Sequence, residues 1–217
     1  MKAVFPAFDG FALSIAGADT SESLDAKRVL DFAAAALLIV LFSPLLALVS
    51  LAVMLDSRGP LMFAQRRTGL NGKTFPILKF RSMHVMEDGA EVKQAAKGDA
   101  RITRVGRIIR KLSLDELPQL FNVLAGDMSL VGPRPHAVAH DEYYGAALPG
   151  YAVRQQVKPG ITGWAQINGA RGETPTLAHM QARVDLDAWY VENTSLALDL
   201  LILARTPLEV LRTRNAV

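Results

Sequence analysis

The hydrophobic pattern changes character along the chain, and the first change is the largest. From Phe32 to Leu55, FAAAALLIVLFSPLLALVSLAVML carries no charge. As a helix it would be ~36 Å long at ~1.5 Å per residue, enough to cross a hydrocarbon core of ~30 Å. A cleaved signal peptide is the weaker reading, because the run is too long and no small-residue cleavage site follows it. Two features set it apart from a simple span. Ser43-Pro44 falls at its middle, where proline removes a backbone donor and kinks a helix. Both flanks are basic, with Lys27 and Arg28 before it and Arg58, Arg66 and Arg67 after it, whereas a spanning helix concentrates positive charge on one side. A kinked span and a helix that dips in and returns to the same face are the two readings.

Beyond the run the period shortens. PLMFAQRRTGLNGKTFPILKFRSM predicts two strands around Asn71-Gly72, a dipeptide suited to tight hairpin turns because both residues tolerate positive φ. Residues 87–97 read as a helix broken at Gly98. RITRVGRIIRKL then places Ile102, Val105, Ile108, Ile109 and Leu112 on an arc of about 120°, with Arg104, Arg107 and Arg110 off it. This basic amphipathic helix suits either a core with a solvated face or an anionic membrane surface. TLAHMQARVDLDAWYVEN and SLALDLLILARTPLEVLRT predict two more helices, the second apolar enough to lie in an interface. Residues 1–23 carry weak signals and read as a loose arm, with one domain from 24 to 217. Internal repeats and low-complexity tracts are absent from the sequence.

Composition sharpens this picture. At 217 residues and 50% hydrophobic content, with mean hydropathy +0.20, the chain can bury a core yet is more apolar than most soluble domains. It has no cysteine, which excludes a disulfide framework, a thiolate metal site and a thiol nucleophile. The net charge of +3 gives no reason to expect nucleic acid. His84, His136, His140 and His179 show no metal-ligand spacing and read as structural or surface residues.

The candidate chemistry lies in RKLSLDELPQLFNVLAGDMSLVGPRP, where Asp115 and Glu116 are adjacent. Ser113 and Glu116 fit a capping box, and acids near a helix start are favoured by ~0.3–1 kcal/mol. Pro118 argues for a different register, with the helix starting near Leu117 and both carboxylates at its mouth. Two acids there, with Arg110 and Lys111 upstream, are also how a phosphate and Mg²⁺ site is assembled. The rigid Gly-Pro-Arg-Pro turn presents Arg134, whose side chain suits forked bonds to phosphate oxygens. Capping and catalysis both stand on residue chemistry alone.

KFRSM, SLDELPQLFNVLAGDMSLVGPRP and KPGITGWAQINGARGET, in this order behind a Ser-Pro membrane helix, closely resemble the bacterial sugar transferase family, the monotopic polyprenyl-phosphate phosphoglycosyl transferases. The resemblance runs from about Lys27 to the C-terminus. It implies an α+β, mainly helical fold with a re-entrant membrane helix over about residues 27–56, broken at Ser43 and Pro44, a β-hairpin, and a compact catalytic domain with interfacial amphipathic helices. Larger relatives carry an N-terminal four-helix membrane region and a further domain, and this chain looks like the catalytic part alone. The activity it implies is transfer of a sugar 1-phosphate from a UDP-sugar to undecaprenyl phosphate, releasing UMP, at the cytoplasmic face of the bacterial inner membrane. That is the first membrane step of exopolysaccharide, capsule or O-antigen assembly. Asp115 matches the family's nucleophile, forming an aspartyl phosphosugar. Glu116, beside Asp115, matches the residue that holds Mg²⁺. Arg110 and Arg134 match positions near the phosphates, and Lys79, Arg81 and Lys158 are further candidate contacts. GARGET resembles the branch using hexose donors, UDP-glucose or UDP-galactose. Anionic lipid is an expected partner, nucleic acid is not, and a homo-oligomer is compatible with the resemblance. One-step transfer with Asp115 as general base, and a non-catalytic membrane-surface protein, are the competing readings.

Overall fold

The computed structural model describes residues 20–84, 99–172 and 174–211. The helix expected over 87–97 lies outside them, as does most of the expected N-terminal arm. The first element is α1, Thr20–Asp56, a 37-residue helix that runs on through Pro44. It starts ahead of the expected boundary at 24, because Thr20-Ser-Glu-Ser continues the helical run rather than joining the arm. Next come β1, Met62–Thr68, and β2, Thr74–Phe80. They pair antiparallel, with Met62 opposite Phe80 and Thr68 opposite Thr74. The turn between them is longer than two residues, but Asn71 and Gly72 both hold positive φ, +54° and +75°, as that dipeptide favours.

The remaining elements are α2 (Arg104–Lys111), α3 (Gln119–Ala125), β3 (Ser129–Val131), α4 (Val138–Ala147), β4 (Gly160–Thr162), α5 (Trp164–Ile167), α6 (Leu177–Glu192) and α7 (Leu196–Leu211). The fold is mainly helical with the hairpin, as expected, and a second small sheet that was not. The parallel pair β3–β4 has no periodic signal in the sequence. It rests on glycines instead. The Gly132 amide donates to Thr162 O at 2.9 Å and the Gly160 amide to Pro133 O at 3.0 Å. A Cβ on Gly160 would stand 2.1 Å from the Gly132 nitrogen, and one on Gly132 would stand 2.3 Å from Lys158 O. This close backbone approach fixes the turn that carries Arg134.

Phe75 and Ile77 of β2, Leu120 and Val123 of α3, β3, Tyr190 and Ile202 form the largest buried cluster, reached by Ala35 of α1. Val49 and Val53, farther along α1, pack with Phe80 and Ile109 in a second cluster. The rest of α1 is largely uncovered: Val29, Leu37, Val40, Leu41, Leu48 and Leu55 are each well over half exposed. Polar ties hold both of its ends. Lys27 pairs with Asp199 of α7, Asp31 accepts the Leu130 amide at 2.9 Å, and Arg28 donates to Val123 O and Leu124 O at the end of α3. At the other end, Asp56 accepts the Val105 amide at 2.9 Å.

The basic helix α2 is rotated from the expected arc. Its buried residues are Gly106 and Ile109, with Val105 packed beside them, while Ile108 and Leu112 are exposed. Gly106 is the physical reason. A Cβ there would sit 2.0 Å from Ser82 O, so the helix seats on the backbone of the KFRSM segment along its glycine line. Ile108 and Leu112 are thereby turned outward beside the exposed Arg104, Arg107 and Lys111.

Candidate active site

Between α2 and α3 the chain reverses direction over a few residues. Ser113 takes φ +56°, ψ +22°, a left-handed conformation costly for a non-glycine residue and typical of functional sites. Leu114–Glu116 then form one 3-10 turn, and Leu117 and Pro118 lead into α3 with helical dihedrals. The capping box does not form. Ser113 makes no side-chain cap bond, because its hydroxyl accepts from Arg171 and Glu116 turns to cations instead. The Pro118 register holds, and both carboxylates lie at the mouth of α3.

Glu116 is clamped. Lys79, from β2, donates to Oε1 at 3.0 Å, and Arg134 donates to Oε2 at 2.9 Å and also to Oε1. Burial by itself would raise its pKa, but Arg134 and Lys79 overcome that and hold the carboxyl well below the usual range. Arg134 gains in return, its pKa raised chiefly by Glu116. Burial lowers the Lys79 pKa, partly offset by Glu116. Arg134 is positioned from behind: Arg154 donates to its carbonyl at 2.6 Å and to Asp187 at 2.7 Å, and contacts His136 and the Tyr151 hydroxyl, each at 3.1 Å.

Asp115 is the contrasting acid. It is 6% exposed and accepts no hydrogen bond among the described residues. Burial first, and then the Glu116 charge, push its pKa up to about 6, against the pull of Lys79, Arg110 and Arg134. Two adjacent carboxylates with opposite shifts are the signature of separated roles. Arg110 lies within electrostatic reach of Asp115, with its Nε buried and unpartnered.

Lys79, Arg110, Asp115, Glu116 and Arg134 are thus gathered, while two sequence candidates stand elsewhere. The Arg81 guanidinium is buried among carbonyls at the end of α1, donating to Pro60 O at 2.6 Å, Val53 O at 3.3 Å and Ser57 O; its donors serve the fold. Lys158 sits near Arg28, Asp31 and Asp127, close to the end of α3. His136 is buried and bonded to Tyr151, and His84 and His179 are exposed, as structural and surface residues should be. Sequence reasoning missed Arg171, the residue that holds Ser113, although GARGET contains it.

A hard divalent cation fits this donor set in kind. Mg²⁺ takes one or two carboxylates and completes its shell with substrate phosphate and water. Asp115, which accepts no hydrogen bond among the described residues, would hold it together with Glu116, one of whose oxygens would have to give up Lys79 or Arg134 to do so. No cluster of three or more acidic, histidine or cysteine ligands occurs among the described residues, so substrate oxygens would have to supply the rest.

An apolar helix tied at both ends to a body that presents a cation-lined acid pair is the build of a protein handling anionic groups beside a nonpolar phase. Residues 22–213 match the bacterial sugar transferase family, and the chain belongs to it. It is 58% identical over 190 residues to the UDP-glucose:undecaprenyl-phosphate glucose-1-phosphate transferase of Caulobacter vibrioides, which covers 88% of this chain and 71% of that protein. The Escherichia coli protein of the same description is 53% identical over 180 residues, 83% of this chain but 39% of its own length. A UDP-N-acetylgalactosamine-undecaprenyl-phosphate N-acetylgalactosaminephosphotransferase of Aeromonas hydrophila is 44% identical over 180 residues, 83% of this chain and 42% of that protein.

Proposed function

We propose that this chain transfers a hexose 1-phosphate, glucose 1-phosphate foremost, from a UDP-sugar to undecaprenyl phosphate with release of UMP. The observation that carries the reading is Asp115: a buried carboxylate that accepts no hydrogen bond among the described residues, beside a second acid whose charge Lys79 and Arg134 offset. The similarity to glucose-1-phosphate transferases supports the choice of sugar.

In the first step an Asp115 oxygen attacks the β-phosphorus of the UDP-sugar. The bond from that phosphorus to the bridging oxygen breaks, and the electron pair leaves with UMP. In the second, an oxygen of the lipid phosphate attacks the same phosphorus, and cleavage of the acyl phosphate bond returns Asp115 as a carboxylate. Arg134 and Lys79 hold Glu116 in place, and Arg110 offers a guanidinium to the phosphates. Mg²⁺, if held by Asp115 and Glu116, would supply Lewis-acid neutralisation of the leaving group, worth several kcal/mol. The one-step reading keeps one specific support, since a pKa of about 6 also suits a general base.

The membrane reading places α1 in the cytoplasmic leaflet of the inner membrane, with the acid pair at its cytoplasmic surface. Lys27 to Asp56 spans about 44 Å along a straight helix, yet both ends bond to the same body. These ties at both ends support a one-sided, re-entrant placement over a crossing one. The exposed Arg104, Arg107 and Lys111 beside Ile108 and Leu112 suit an anionic lipid surface.

The test is incubation of the purified chain with UDP-glucose and Mg²⁺, with and without undecaprenyl phosphate. We expect one equivalent of UMP and a protein mass gain of one hexose phosphate without lipid, and lipid-linked hexose with it. Turnover without any adduct would select the one-step route. Absence of UMP with every UDP-sugar tried would overturn the transferase reading.

A further inference from the structure

Lys79 and Arg134 are committed to Glu116, but Arg171 has no such partner. It donates to Ser113 Oγ and, at 3.4 Å, to Glu209 O, both neutral acceptors, and no described carboxylate forms an ion pair with it. Burial lowers its pKa, and the Glu116, Asp115 and Glu209 carboxylates within its electrostatic reach offset part of that. A half-buried cation whose hydrogen bonds all go to neutral acceptors is desolvated at a cost, and an arriving anion that bonds to it directly would relieve that cost.

The loop holding Arg171 is built for the purpose. Arg183, itself 5% exposed, donates Nε to Ala170 O at 3.0 Å and Nη2 to Gly172 O at 2.7 Å, the carbonyls on either side of Arg171. One guanidinium is thus spent on aiming another. Its two acceptors also locate Arg171. Ser113 follows the exposed Leu112, and Glu209 follows the exposed Leu208, so the guanidinium bridges the ends of α2 and α7 where both show apolar side chains to the outside. A soluble nucleotide has no need of such a border, whereas a phosphate on an apolar tail does.

We propose that Arg171 binds the phosphate group of the lipid acceptor, leaving the nucleotide diphosphate to the other cations of the site. The proposal rests on the transferase reading above. Both ligands carry phosphate, so the experiment must separate them. With the full chain in lipid nanodiscs, KM for undecaprenyl phosphate and for UDP-glucose are measured independently from UMP release. Calorimetric binding of farnesyl phosphate is read in parallel. Arg171→Ala should raise the lipid KM about tenfold or more and weaken farnesyl phosphate to a similar degree, leaving the UDP-glucose KM within about twofold; Arg171→Lys should fall between. A matching rise in the UDP-glucose KM, a fall in kcat alone, or unchanged farnesyl phosphate binding in Arg171→Ala would overturn the assignment. A wild type inert toward every UDP-sugar would sink the transferase reading, and the farnesyl phosphate arm would still decide Arg171.

Discussion

A single carboxylate carries most of the energetic tension in the site. Asp115 is forced from an ordinary value of 3.8 to about 6 mainly by burial, so the fold disfavours its charged form. The penalty is absent below about pH 4, where the group is protonated folded or unfolded, and complete above about pH 6. Asp115→Asn should therefore raise Tm near neutral pH, by a stability on the order of 3 kcal/mol, with the gain shrinking to nothing as pH falls from 6 to 4. The same substitution should abolish turnover, because an amide is a very poor nucleophile; calorimetry across pH with a UMP assay checks both. Glu116→Gln removes the second cause of the shift and frees two cations, so the acid limb of the residual activity, expected near pH 6 in the wild type, should move lower. Activity itself should fall at least about tenfold. An unmoved limb would detach the limb from Asp115. The pair was legible in the sequence because its members are neighbours there. Arg171 was not, since nothing in GARGET says that the loop folds back onto Ser113, and the left-handed turn at Ser113 has no residue signal at all.

At the scale of elements, the Ser-Pro step in α1 has a local chemistry that the run of apolar letters conceals. Pro44 lacks the N–H that would reach the carbonyl four residues back, at Val40, and the Ser43 hydroxyl donates to that same carbonyl at 2.8 Å. In lipid an orphaned carbonyl costs several kcal/mol, so the serine repairs what the proline removes. Ser43→Ala should lower thermal stability in detergent, and Ser43→Ala with Pro44→Ala should recover it, since alanine restores the donor; a double-mutant cycle on Tm measures the coupling. A loss in the double variant as large as in the single would contradict this account. Long or strongly patterned elements, α1, the hairpin, α6 and α7, could be read from the letters. The face of α2 was misread because a glycine, invisible to an apolar count, sets its contact line. The sheet of β3 and β4 escaped because three-residue strands have no period and depend on backbone contact between Gly132 and Gly160.

For the whole molecule, the geometry of attachment makes a topological prediction. Ala26 and Arg58 are both exposed and the chain has no native cysteine. Ala26→Cys and Arg58→Cys, introduced singly, should both react with an impermeant maleimide from the cytoplasmic side of inverted vesicles; protection of one and labelling of the other would mean a crossing helix. The bolts at Lys27, Asp31 and Asp56 have a further practical consequence. In many peripheral enzymes a hydrophobic anchor can be clipped off to leave a soluble catalytic body. Here clipping would strip the Leu130 amide of its acceptor and Asp199 of its counter-charge, and would uncover Phe80 and Ile109. A less apolar version must instead be made by repainting, with polar residues at exposed positions such as Val29, Leu37, Leu41 and Leu48, while Ala35, Val49 and Val53 stay as they are.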